Sequence, residues 1–326
     1  MSRSRPVDHS DDGVIGAPLA QRWIDCHGQQ ARTWLERIPA ITDSWAQRWQ
    51  LTLGKPLDGG SVSVVYAVQG RDGPAVLKLA APWSRWSQQE AAALRAWDGH
   101  GAARLLAASD DASALLLERV WPGKPAQGMT AAELAGVLAK LSRAAVPSGI
   151  PSLVDAVHLR FDRAEENRNR LLSPAQIRLA RRVAIDLAAA HRGSEITCHG
   201  DLSIKNILVS SDRGLLLIDP NPCVGHPAYD AAQWAVTQIP VAEAPQRAAA
   251  AATALGIPSD DVGRWVCVLA AVEVCLASQP RAQASLELAR RLNAEWLRSG
   301  RSIKRPLSAS GAPNDQDADP EQFDRG

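Results

Sequence analysis

The sequence predicts an α+β protein of two lobes, a small sheet-rich one followed by a larger helical one. Three observations carry this. Between Leu51 and Leu117 the residues fall into short aliphatic and β-branched runs separated by Gly-containing turns, with one helical stretch among them. From Met129 to about Leu297 the chain becomes Ala- and Leu-rich with helical periodicity. Between the two lies Val120-Trp121-Pro122-Gly123, where Pro and Gly end the strand pattern and mark a crossover.

Residues 1–17 are rich in Ser, Asp, Gly and Arg and are expected to be disordered. Residues 18–50 form a helical extension: Leu19, Trp23, Trp34, Leu35, Ile38, Ile41, Trp45 and Trp49 recur at helical intervals. Pro39 is expected to break it into two helices, packed on the lobe that follows. Residues 51–120 make the first lobe. Leu51–Leu53, Val62–Val68 and Ala75–Ala80 read as strands. A helix starting at Ser84 or Ser87 and running to Trp97 follows, with Glu90, Leu94 and Trp97 on one face, then strands at Leu105–Ala108 and Ala114–Leu117. Residues 121–301 make the helical lobe, interrupted by two short β-type runs, Ile207–Val209 and Leu215–Ile218. Residues 302–326 form a polar, acidic tail expected to be disordered.

A length of 326 residues suits two such lobes, and 46% hydrophobic with 22% charged residues is the composition of a globular chain. The formal net charge of +1 points away from nucleic acid as a partner. The most apolar stretch, Trp265–Ala277, is too short for a bilayer and contains Glu273, so no membrane role is expected. Five scattered cysteines without a C-x-x-C pair exclude a disulfide framework and a structural zinc site, and suggest free thiols in a reducing cytoplasm. No feature sets an oligomeric state.

The chemistry concentrates in Thr197-Cys198-His199-Gly200-Asp201-Leu202-Ser203-Ile204-Lys205-Asn206, followed by Leu217-Ile218-Asp219-Pro220. The order His199, Asp201, Leu202, Asn206, Asp219 matches the H-x-D-L-x-x-x-N loop and metal-binding Asp of phosphoryl-transfer enzymes. Asp201 is the candidate base: a carboxylate here can accept the hydrogen of an acceptor hydroxyl. Asn206 and Asp219 are candidate Mg²⁺ ligands, because that ion prefers a few oxygen donors beside phosphate oxygens. His199 reads as loop support. Any one of these residues alone is equally a turn former.

Upstream parts occur in the required order. Lys78 lies in the third predicted strand, Ala75-Val76-Leu77-Lys78, as in the V-A-I-K pattern whose Lys pairs with phosphates. Glu90 on the next helix is its expected ion-pair partner. The turn Asp58-Gly59-Gly60-Ser61-Val62-Ser63 can cover phosphates through backbone amides and the hydroxyls of Ser61 and Ser63, although an ordinary hairpin turn competes. The backbone of the lobe connection, at Glu118 and Val120, is expected to bond adenine. Trp121 can wall that site, but core packing is the preferred reading for it.

On the acceptor side a cationic ligand needs carboxylates. Glu273 is the first candidate, the only charge between Arg264 and Arg281 on an otherwise apolar helix, although a salt bridge to a neighbouring Arg is the preferred reading for it. Asp230, Asp260 and Asp261 are weaker candidates, the last two also reading as residues of a helix N-terminus.

Together these residues resemble the protein-kinase-like superfamily, in its small-molecule branch. His199-Gly200-Asp201, with Gly where protein kinases carry Arg, looks like the aminoglycoside phosphotransferases. Leu217-Ile218-Asp219-Pro220, Val224-Gly225-His226-Pro227-Ala228-Tyr229-Asp230 and Leu115-Leu116-Leu117-Glu118-Arg119-Val120 are most similar to the streptomycin and hydroxyurea resistance kinases. The resemblance covers about residues 50–300. It implies a bilobal protein-kinase-like fold, ATP with Mg²⁺, and phosphorylation of a hydroxyl on an aminocyclitol such as streptomycin. It also implies that Asp230 braces the catalytic loop. Cys198, Ser203 and Lys205 depart from the usual family residues, and Lys205 puts a cation beside the acceptor site. The alternatives are a metabolic kinase of an amino sugar and a non-catalytic nucleotide-binding protein. The run from Asp219 to Tyr229 is too short for a protein-kinase activation segment, which disfavours a protein substrate.

Overall fold

The computed structural model describes residues 16–57, 62–166, 171–190 and 195–299. The tail expected at 302–326, nearly all of 1–17, and Asp58, Gly59, Gly60 and Ser61 of the phosphate turn lie outside these.

The chain enters through helix α1 (Ala17–Arg48), which is two helical segments joined at a kink. The kink is at Gly28 (φ +54°, ψ −128°) and not at Pro39, which sits inside the helix. The physical reason is that Pro keeps a helical φ and forfeits one hydrogen bond, whereas a left-handed φ strains any side chain and suits Gly. The turns flanking Pro39 are held by burial of Trp34 and Ile38.

Five strands follow: β1 (Thr52–Leu57), β2 (Ser63–Gly70), β3 (Gly73–Ala80), β4 (Leu105–Ala108) and β5 (Ala114–Glu118), with α2 (Ser87–Trp97) between β3 and β4. They form one antiparallel sheet in the order β1-β2-β3-β5-β4. The two-residue repeat of the pleat sorts its faces. Val64, Tyr66 and Val68 of β2 and Ala75, Leu77 and Leu79 of β3 pack with Trp23, Trp34 and Ile38, so α1 covers one face. Burial of each such large side chain contributes about 1.5–3 kcal/mol. The opposite face carries Val76 and Lys78, and α2 lies there, its Leu94 and Trp97 sharing a core with Leu115 and Leu117. That core continues into the second lobe through Leu138, Leu141 and Leu217.

The second lobe begins with a strand, β6 (Pro122–Pro125), where the sequence indicated only a crossover. Pro-Gly-Lys-Pro is tolerated because β6 is an edge strand, in a sheet ordered β6-β8-β9 with β8 (Ile207–Ser210) and β9 (Gly214–Leu217). A two-stranded ladder of β7 (Ile196–Cys198) and β10 (Cys223–Gly225) sits on either side of the candidate catalytic residues in sequence. Helices α3 (Ala131–Leu141), α4 (Leu153–Glu166), α5 (Pro174–Ala190), α6 (Ala228–Thr237), α7 (Ala244–Leu255), α8 (Ser259–Leu276) and α9 (Gln279–Ser299) complete the lobe. A capping box of Thr130 and Glu133 starts α3. α8 is buried along most of its length among α5, α6, α7 and α9. Among the described residues no helix is long and apolar enough to cross a membrane.

Candidate active site

The pleat of β3 aims Lys78 at α2. Its Nζ donates to Glu90 Oε1 and Oε2 at 2.6 and 2.7 Å and to Asp219 Oδ1 at 2.6 Å. Lys78 and Glu90 are 8% and 4% exposed, so this cluster is screened little by water. Burial works against the Lys78 charge, but Glu90 and then Asp219 outweigh it and hold its pKa above the usual lysine value. Burial pushes Glu90 up to about 7, opposed by Lys78. Lys78 holds Asp219 below the usual carboxylate range. Asp219 itself takes a left-handed backbone (φ +57°), a conformation Asp adopts more readily than most residues.

The loop after β7 is built around Gly200. Its φ is +76°, and a Cβ there would lie 1.8 Å from the Asn221 carbonyl oxygen, so only Gly fits. Asn221 N donates to His199 O at 2.9 Å, which sets that close approach. Asp230, wholly buried on α6, accepts from His199 N at 2.7 Å and Gly200 N at 2.9 Å. Burial raises its pKa, against His199 and those two backbone bonds. With both oxygens used, Asp230 is removed from the acceptor surface where the sequence reading also put it. His199 Nε2 donates to Ile218 O at 2.9 Å and Nδ1 accepts from Asp201 N at 3.3 Å, which places the ring proton on Nε2. Asn206 Nδ2 donates to Asp201 O and Oδ2, both at 2.9 Å. Asp201 Oδ1 has no hydrogen-bond partner among the described residues.

One brace was missed in the sequence. Gln233 on α6 accepts from Leu202 N at 2.7 Å and donates to Gly200 O at 2.9 Å. Its signal was the spacing from Asp230: three residues on, the same helix face.

Asn206 and Asp219 suit a hard cation. The Asn206 amide nitrogen is spent on Asp201, which leaves its oxygen as the donor, and Asp219 keeps a second oxygen beyond Lys78. Among the described residues no group of three or more His, Cys, Asp or Glu could hold a metal alone. Two oxygen donors fit Mg²⁺, which takes its remaining ligands from phosphates and water.

On the nucleotide side, Ser63 is buried and shares the Lys78 face of the sheet, two residues before Val65, the cross-strand neighbour of Lys78. The Val120 side chain packs with Ala103 and Leu216 beneath the lobe connection. The Glu118 carboxylate is occupied: Arg213 Nη1 reaches both its oxygens at 2.5 and 2.6 Å and Arg104 N donates to it at 2.9 Å. Arg213, on the β8–β9 turn, also donates to the carbonyls of Gly99 and Ala102, so it ties the connection to the α2–β4 loop. Trp121 is 69% exposed, which overturns core packing. It lines a cavity of about 620 Å³ with Thr52, Gly54, Ala67, Gln69 and Arg119, at the connection end of the sheet. Core space beneath the connection is already taken by Val120, and the next residue begins edge strand β6.

On the acceptor side, Glu273 has a protein partner: Arg281 Nε donates to it at 2.5 Å and Arg281 Nη2 to Val236 O at 3.2 Å. The salt bridge to a neighbouring Arg, the reading the sequence favoured over a ligand cation, is thus the one the structure shows. Asp260 and Asp261 lie in the first turn of α8, about 18 Å along the helix from Glu273, and do not join it. Arg160 of α4, missed in the sequence, is present instead. One of its nitrogens is 3.4 Å from Gly200 O and its guanidinium carbon is 5.9 Å from the Tyr229 ring centre. Burial disfavours its charge, but Tyr229, Asp201 and Glu273 raise its pKa above the usual value. The signal was an Arg within the apolar stripe of α4, between Val157 and Ala164.

Residues 48–273 match the family described as aminoglycoside/hydroxyurea antibiotic resistance kinase. The chain is 31% identical over 237 residues to a streptomycin 6-kinase of Streptomyces glaucescens, covering 71% of this chain and 75% of that one. It is 32% identical over 226 residues to a hydroxyurea phosphotransferase of Kitasatospora aureofaciens, covering 66% of each. The solved choline kinase of Streptococcus pneumoniae superposes with a TM-score of 0.58 at 11% identity, over 79% of this chain and 99% of that one, a likeness of fold. The chain belongs to the aminoglycoside/hydroxyurea antibiotic resistance kinase family and is a small-molecule kinase with the bilobal protein-kinase-like fold.

Proposed function

We propose that the chain transfers the γ-phosphoryl group of ATP to a hydroxyl of a small acceptor, with Asp201 as base. The observation that carries this is the convergence of Lys78, Glu90 and Asp219 from three elements, with Asn206 binding Asp201 beside them. Lys78, held by Glu90, pairs with the nucleotide phosphates. Asp201 Oδ1 accepts the acceptor's hydroxyl hydrogen. The hydroxyl oxygen forms its bond to the γ-phosphorus as the bond to the β-γ bridging oxygen breaks; ADP leaves and the proton passes to Asp201. Asn206 and Asp219 would hold Mg²⁺, which supplies charge neutralisation on the phosphates. Ser63 would help to cover those phosphates, and the backbone at Glu118 and Val120 would receive adenine.

The relatives' names put forward two acceptors: an aminocyclitol such as streptomycin, which the sequence placed first, and hydroxyurea. A coupled ADP-release screen over aminoglycosides, amino sugars and hydroxyurea tests the reaction, with Asp201→Ala as control. The expected loss in Asp201→Ala is about 10²–10⁴-fold in kcat with Mg·ATP affinity retained. Undiminished turnover in that variant would remove Asp201 as base. Absence of both ADP release and Mg·ATP binding would sink the kinase reaction.

A further inference from the structure

Among the described residues, the charges around Asp201 do not form a receptor for a polycation. Glu273 is held by Arg281 at 2.5 Å, and both oxygens of Asp230 are on backbone N–H groups. Asp219 is bound to Lys78 at 2.6 Å. Further out on α4, Asp162 and Glu165 face Arg181 at 2.8 and 3.5 Å. The cations are better placed. Arg160 touches the carbonyl of Gly200, the residue preceding the base, and rests over Tyr229. Lys205 is exposed four residues after Asp201 and acts on the charge of Asp219. A guanidinium has five N–H donors, and the Gly200 carbonyl uses one at a long 3.4 Å. The remaining donors match a planar oxygen acceptor.

We propose that the acceptor is a small hydroxylated compound with a carbonyl or carboxylate oxygen beside its hydroxyl and no fixed positive charge, and that Arg160 is the residue selecting it. This rests on Asp201 being the base that receives the acceptor hydroxyl. An amine or guanidino group entering here would meet Arg160, and would find Glu273 already half neutralised by Arg281 on Oε2. An oxygen acceptor would meet guanidinium donors that have no further hydrogen-bond partner among the described residues, one residue from the base.

The test uses the full chain saturated with a non-hydrolysable Mg·ATP analogue. Three probes are titrated by calorimetry: hydroxyurea (neutral, carbonyl), glycerate (carboxylate) and streptomycin (cationic). Hydroxyurea or glycerate is expected to bind at least about tenfold more tightly than streptomycin, the preferred one telling carbonyl from carboxylate. Arg160→Met should weaken that probe at least about tenfold, and Arg160→Lys, which keeps the charge and loses the planar fork, should restore part of it. Streptomycin binding as tightly as both others, or neither oxygen-bearing probe binding, overturns the proposal. So does an equal loss of all three probes together with the Mg·ATP analogue in Arg160→Met, which would make Arg160 only a brace of the Gly200 carbonyl. ADP release with true Mg·ATP is read separately. Selective binding without ADP release supports the charge selection and counts against phosphoryl transfer; turnover of streptomycin alone does the reverse.

Discussion

The two sides of the cleft hold their charges by opposite means. On the proposed nucleotide side one buried lysine is shared by two carboxylates, Glu90 and Asp219, which lie far apart in the sequence. On the acceptor side each carboxylate has its own partner: Asp201 has Asn206, Glu273 has Arg281, and Arg160 stands between them in charge. A shared ion is costly to lose because its removal strands two opposite charges. Paired ions fail one at a time. Phosphates are polyanions, so a site that already concentrates one cation on them has an obvious occupant. Among the described residues the proposed acceptor side carries no comparable surplus of negative charge.

The comparison breaks most visibly at Lys78. Lys78→Met leaves the Glu90 carboxylate buried without a cation, and the expected cost is about 3–5 kcal/mol of stability. Chemical denaturation measures it. Lys78→Met combined with Glu90→Gln should recover part of that loss while Mg·ATP affinity stays low. Arg281→Met should cost clearly less, because Glu273 is about a quarter exposed and can be solvated. Equal costs at the two sites would erase the distinction.

The second largest effect is expected at Gly200. Gly200→Ala puts a methyl 1.8 Å from the Asn221 carbonyl at a φ of +76°. The left-handed conformation alone costs about 1–2 kcal/mol, and the clash adds to it by displacing the chain next to Asp201. Catalysis should fall with the melting temperature, while Mg·ATP affinity, fixed from β3 and α2, falls less. Gln233→Leu is milder. It leaves Leu202 N and Gly200 O without their partner, at about 1–3 kcal/mol, and should lower kcat without moving the nucleotide KM.

What could be read in the sequence follows the same division. That Lys78, Glu90 and Asp219 meet, and that Asn206 lies on Asp201, was legible because each has a fixed place in a short motif or on a predicted element. Arg160 and Arg281 were not, because their meaning depends on how α4, α6, α8 and α9 converge. Glu273 shows the limit: an isolated charge on an apolar helix correctly signalled a missing partner, but pattern could not tell a ligand from an arginine eight residues away. In the fold, β1 to β5, β8, β9 and α2 followed from periodicity, whereas the three-residue strands β7 and β10 did not. Strand β6 did not, since Pro-Gly-Lys-Pro has turn chemistry and becomes a strand only by pairing with β8. The kink of α1 was misplaced because proline's cost in a helix is about 3 kcal/mol, a size that burial of Trp34 and Ile38 can offset.

The smallest expected effect sharpens the comparison in the pH dimension. Burial raises Glu90 to about 7 from an ordinary value of 4.5. The native state therefore binds this proton more tightly than the unfolded chain. Its stabilising contribution is complete below about 4.5 and is lost as pH rises through about 7. Asp219, depressed by Lys78, acts in a different window: its contribution is lost as pH falls below the ordinary Asp value. Between pH 5 and 7 the Glu90 slope should thus stand alone within the cluster, at no more than about 1.4 kcal/mol per pH unit. Denaturation midpoints across that range, in the wild type and in Glu90→Gln, measure it. The variant should flatten the slope, and an Arg281→Met control should leave it in place. A slope that persists in Glu90→Gln would mean that the buried cluster holds its proton elsewhere, and the shared-ion picture of the nucleotide side would need Asp219 as its titrating member.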